Sequence, residues 1–184
     1  SDGRHYICVN ENDKPERRRF TILHELAHII LGLPSDHGAP GWSYAKKSMN
    51  EILCDVFASE LLFPYKLYKP LVDRSDFSFA AIEDLAGRFE GSLSAAGSRY
   101  AAVAAGVCAF VFAEKGVVRY ASRSPAMRSA NLWIPPKKTL PRESVGARIR
   151  SGETVSGPEE FDPELWISNW DRDGVLLEEA RHYA

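Results

Sequence analysis

Cysteine is scarce in this chain. Cys8, Cys54 and Cys108 are the three present, odd in number and unevenly spaced, each within an apolar stretch. That pattern implies no disulfide framework; small buried thiols in a reducing cytoplasm are expected. An excess of one charge is also missing: 23 Lys and Arg stand against 25 Asp and Glu, a formal net charge of −2. The basic surplus of a nucleic-acid binder and the acidic tail of a solvating segment are both absent. No apolar run reaches the ~18 residues that a membrane span requires. The opening SDGRHYIC lacks the basic-then-apolar build of a signal peptide. The start at Ser1 rather than Met leaves open whether the chain is a fragment of something longer. No internal repeat is evident. What remains is a globular composition over 184 residues, enough for one sizeable domain or one domain with a small appendage.

The most informative stretch is RRRFTILHELAHIILG, Arg17 to Gly32. Phe20, Leu23, Ala27, Ile30 and Leu31 recur at steps of three and four, which predicts an amphipathic helix. Asp13 is expected to cap its start, with Pro15 and Glu16 in the first turn. Gly32 is expected to end it in the left-handed conformation, and Pro34 to block its continuation. On such a helix His24 and His28 lie one above the other, so both imidazoles can turn to one point and hold a zinc ion. Glu25 follows His24 directly, where a carboxylate can take a proton from water at that ion. H-E-x-x-H on a helix is the metalloprotease pattern.

A catalytic zinc site commonly has three protein ligands and one open position. The third ligand is expected from Ser48 to Pro64, SMNEILCDVFASELLFP. Met49, Ile52, Val56 and Phe57, widened by Leu53 and Leu61, give this stretch a helical stripe closed by Pro64. Glu51 opens it and Asp55 follows one turn later on the same face. Glu51 is assigned to the metal, and Asp55 to the spare N–H of a ligand histidine. A competing role exists, because Ser48 and Glu51 also form a capping box. Cys54 and Glu60 are the rivals for the third position. A thiolate there would dull the Lewis acidity that hydrolysis needs.

These two stretches resemble the ImmA/IrrE family of zinc metallopeptidases. The family form R-F-[ST]-x-x-H-E-x-x-H is matched by Arg19, Phe20, Thr21, His24, Glu25 and His28. The form E-x-x-A-[ND]-x-F-A-x-x-L-[LM]-x-P is matched by Glu51, Asp55, Phe57, Ala58, Leu61, Leu62 and Pro64, with Cys54 where Ala is usual. The resemblance is close over the first half and looser beyond. It implies a zincin-like fold and peptide hydrolysis with one zinc ion, other divalent metals being alternatives. It also implies a protein substrate, a helix-turn-helix repressor in a bacterial or phage regulatory or stress-response module.

The rest of the chain is less specific. Tyr6 to Val9 is β-prone. Leu33 to Lys47 is rich in Pro and Gly, predicts an irregular loop, and carries His37, a spare ligand, a substrate contact or a solvated side chain. From Asp76, two helices are expected about a Gly91 turn, the second capped by Ser94. Their outline suggests a DNA-reading helix-turn-helix, but the second offers only Arg99 among alanines, so core packing is favoured. Arg99 and Tyr100 are candidates to face the cleft and polarise the scissile carbonyl. Val107 to Ala113 and Val117 to Ala121 form a hairpin, with further β-prone pieces at Leu132 to Ile134, Leu165 to Ile167 and Gly174 to Leu177. Arg142, Arg148 and Arg150 are expected on a solvated strand face. Trp133, Trp166 and Trp170 fit either core or a docking surface. The fold class is α+β: a helical metallopeptidase core over residues 1–105 with a small antiparallel sheet, then a β-rich part over 106–184. The competing classes are a non-catalytic regulator stapled by metal and, disfavoured by charge, a DNA-binding module.

Overall fold

The computed structural model describes residues 4–34 and 48–183. Five helices come first: α1 (Pro15–Leu31), α2 (Met49–Leu62), α3 (Tyr65–Val72), α4 (Phe79–Arg88) and α5 (Leu93–Val103). The hairpin β1 (Ala109–Glu114) and β2 (Val117–Arg123) follows. Two short helices, α6 (Pro125–Ser129) and α7 (Val145–Arg150), precede the strands β3 (Glu159–Phe161) and β4 (Leu176–Glu178). Both sheets are two-stranded and antiparallel, β1 with β2 and β3 with β4. The chain is thus α+β. Among the described residues no helix is long and apolar enough to cross a membrane.

Local chemistry sets the boundaries. Pro15 occupies the first turn of α1, where its missing N–H costs nothing. The preceding cap position is Lys14, which makes no side-chain cap bond. Asp13 is not the cap: its carboxylate accepts from Arg17 Nε at 3.2 Å. Gly32 ends α1 at φ 62°, and the next amide, Leu33 N, returns to His28 O at 3.0 Å. Ser48 caps α2 by accepting from Glu51 N at 3.4 Å. Ser92, rather than Ser94, caps α5, and the left-handed residue between α4 and α5 is Glu90 (φ 52°), not Gly91. Lys115 and Gly116 both have positive φ, as the two-residue turn between twisted strands requires.

The main core gathers Phe63, Tyr68, Ile82, Leu85, Ala96, Tyr100, Ala101 and Phe110 from α2 through β1. Helix α5 lies at its centre. A Cβ on Gly97 would stand 2.3 Å from the Phe110 ring, so only glycine lets β1 approach this closely. A second cluster joins Met127, Leu132, Ile134 and Ile167, with Trp166 and Trp170 against it. Strand alternation divides the hairpin between them: Phe110, Phe112 and Tyr120 face the helices, while Ala109, Val111 and Ala121 face the second cluster.

Several local expectations are corrected. Tyr6 to Val9 and Leu132 to Ile134 form no strand, and Pro163–Leu165 is a 3-10 turn. Arg148 and Arg150 lie on helix α7 rather than on a strand, and Arg148 pairs with Glu153 and Glu159. The hydrophobic stripe of α2 is also not its buried face. Met49, Leu53, Val56 and Leu61 are exposed, and the helix buries Glu51, Cys54, Asp55, Ala58 and Leu62.

Candidate metal centre

Helices α1 and α2 pack against each other through an unusual pair of faces. The buried residues of α1 are His24, Ala27 and His28. Alanine leaves room, so the helices meet through the histidines of one and the carboxylates of the other. His24 Nε2 lies 3.1 Å from Glu51 Oε2, and His28 Nε2 lies 3.3 Å from Glu51 Oε1. The two Nε2 atoms are 3.2 Å apart. His24, His28 and Glu51 form a buried group able to hold a metal ion.

The far side of each ring explains its orientation. His24 Nδ1 lies 3.0 Å from Asp55 Oδ1, and His28 Nδ1 lies 3.2 Å from the Leu33 carbonyl. An ionised carboxylate and a carbonyl only accept, so each Nδ1 carries the hydrogen and each Nε2 of the neutral rings presents a lone pair. Glu51 adds further acceptor oxygens. Among the described residues, two imidazole nitrogens and the Glu51 carboxylate thus converge on one point, a grouping that suits a positive ion. The bond to Asp55 holds the His24 pKa above its ordinary value despite burial, helped by the charges of Asp55, Glu51 and Glu25. The spacing fits a metal. Donors on a four-coordinate ion with bonds of about 2.0–2.1 Å stand roughly 3.3 Å apart. The capping-box alternative is resolved as well: the Glu51 amide goes to Ser48, while its carboxylate goes to the histidines.

Glu25 is partly exposed beside His24, and its charge reaches both His24 and Cys54. Cys54 is fully buried. Burial first, then the neighbouring carboxylates, pushes its thiol up, and it lies outside the group able to hold an ion. Glu60 is also elsewhere, accepting from Tyr65 N at 2.7 Å and pairing with Arg99.

Arg99 and Tyr100 are not brought to this centre. Arg99 Nε donates to the Phe63 carbonyl at 3.1 Å, and its guanidinium meets Glu60, about 13 Å beyond Glu51 along α2 by helical rise. Tyr100 is 2% exposed, with its hydroxyl on Ser75 Oγ at 2.9 Å and the Ser75 carbonyl at 3.1 Å. Both side chains are consumed in seating α5 among α2 and α3. His37 lies outside the described residues. The sequence reading missed the Leu33 carbonyl, a backbone group that no residue type advertises. Its signal was positional: a left-handed cap four residues after a ligand histidine.

A fold of packed helices with a small sheet, carrying this His-His-Glu group, defines a metalloprotease-like class. The family described as the IrrE N-terminal-like domain, Peptidase M78, matches residues 1–100, and the chain belongs to it. It is 34% identical over 96 residues to the radiation response metalloprotease IrrE of Deinococcus deserti, covering 50% of this chain and 34% of that protein. It is 34% identical over 94 residues to the protein of the same name from Deinococcus radiodurans, covering 49% and 29%. The matched segment thus spans about a third of the length of these curated relatives.

Proposed function

We propose that the chain is a zinc-dependent endopeptidase that cuts a specific protein, a helix-turn-helix repressor of a bacterial or phage regulatory or stress-response module. One observation carries the reading: two imidazole Nε2 atoms and a carboxylate, all buried, converge at 3.1–3.3 Å, close enough to share one ion. Membership of a peptidase family and likeness to proteins named radiation response metalloproteases support the same reading.

His24, His28 and Glu51 would hold the ion. When bound, it supplies Lewis acidity to the scissile carbonyl and to water. Asp55 and the Leu33 carbonyl keep the rings aimed inward. Glu25, partly exposed at the rim, takes the proton of the attacking water and passes it to the leaving amine. Three protein ligands among the described residues match the catalytic pattern, whereas a structural staple commonly has four.

The test compares wild type with Glu25→Gln, measuring bound metal and, by mass spectrometry, fragments of a repressor encoded beside the gene. Both proteins should bind metal, and the variant should cleave about 10²–10⁴-fold more slowly. Equal cleavage by both would remove Glu25 from its role. Metal binding without any cleavage by wild type would favour the stapled regulator.

A further inference from the structure

The two ligand histidines are oriented by different means. His24 uses a side chain, Asp55, which the motif announces. His28 uses the Leu33 carbonyl, which is where it is because α1 stops at Gly32. Gly32 adopts φ 62° and ψ 29°, and the turn is closed by Leu33 N on His28 O at 3.0 Å and Gly32 N on Ile29 O at 3.4 Å. The same reversal swings the Leu33 carbonyl back beneath the imidazole, 3.2 Å from Nδ1. His28 therefore contacts the cap twice, through its own backbone oxygen and through its ring.

We propose that the left-handed cap at Gly32 is a positioning element of the metal centre: it fixes the Nδ1–H tautomer and tilt of His28 through the Leu33 carbonyl, and so sets metal affinity. The inference rests on the metal reading above. The cap does more than end a helix. A helix can end without a left-handed residue, as α5 does at Ala104 (φ −62°). At α1, a different ending would leave the helix stopped but move the carbonyl away from Nδ1. His28 would then lose the acceptor that selects which nitrogen holds the proton. Its Nε2 lone pair would no longer be available in every molecule.

Sterics favour a clean experiment. A Cβ built on Gly32 meets nothing within 4 Å among the described residues, so a substitution is expected to act through backbone conformation. Asn tolerates the left-handed region, Ala tolerates it less, and a β-branched Val least. The variants are Gly32→Asn, Gly32→Ala and Gly32→Val. Two quantities are read: the histidine tautomer from ¹⁵N shifts of the metal-free protein, and the zinc dissociation constant by chelator competition. The expected order of affinity is wild type, Asn, Ala, Val. Asn should stay within about threefold of wild type, and Val should be about 10–100-fold weaker, the usual cost of losing a partner of a ligand histidine. The His28 Nδ1–H signal should fade in the same order. Should the Val protein fail to fold, the Asn and Ala pair decides, with Ala the weaker by several fold.

A role confined to helix ending would lower the metal-free melting temperature while leaving tautomer and affinity unchanged, and that result overturns the proposal. The two readings fail separately. Wild type that binds no zinc would sink the peptidase assignment, and the tautomer series would still decide whether the cap orients His28. Wild type that binds zinc as tightly as all three variants would sink the cap proposal alone.

Discussion

At the scale of single residues, the metal centre is a set of paired obligations. Each ligand nitrogen is aimed by a partner on the opposite side of its ring. Asp55 is that partner for His24, at 3.0 Å. Asp55→Ala should therefore weaken zinc binding by about 10–100-fold, measured by chelator competition, while Asp55→Asn, which keeps an acceptor, loses less. Cys54→Ala should leave affinity unchanged, because Cys54 lies outside the buried group formed by His24, His28 and Glu51. A loss as large as that of the Asp55 variant would return Cys54 to the ligand set. That His24 and His28 share one face was legible from spacing because helical geometry converts an interval of four into one face. Arg99 and Tyr100 were misjudged because a sequence gives a side chain's chemistry but not the direction in which its helix faces.

At the scale of elements, α2 shows where periodicity misleads. Hydropathy placed Met49, Leu53, Val56 and Leu61 inward, yet all four are exposed, and the polar Glu51 and Asp55 are buried. A helix that delivers ligands must turn its carboxylates toward the ion, and its apolar stripe is displaced outward as a result. Val56→Lys should consequently change unfolding free energy by no more than about 0.5 kcal/mol. A larger loss in urea denaturation would mean that this face is covered. The opposite holds at Gly97. An added Cβ would collide with Phe110 at 2.3 Å, so Gly97→Ala should cost about 1–3 kcal/mol by the same measurement. The helix starts at Ser48 and Pro15 and the stop at Gly32 were readable, because caps are local chemistry. The short helices α6 and α7 were not, since a single turn begun by Ser124 or Ser144 carries too little periodicity to register.

At the scale of the whole molecule, burial raises the phenols of Tyr68, Tyr100 and Tyr120 and the thiol of Cys108. A group whose folded-state pKa is raised contributes its full stability below its unfolded value and loses it as pH climbs toward the folded one. The melting temperature should begin to drop near pH 8.5 with the thiol and fall faster above about 10 with the phenols. A flat profile across that alkaline range would contradict the burial of these side chains. The seam between α1 and α2 has a consequence of another kind. Its inward-facing groups are mostly histidine, carboxylate, cysteine and alanine, so little grease holds those two rods together. The cargo is then also the glue. Stripping it with a chelator should loosen α1 and α2 in hydrogen exchange, while the amides of α5 and the hairpin stay locked.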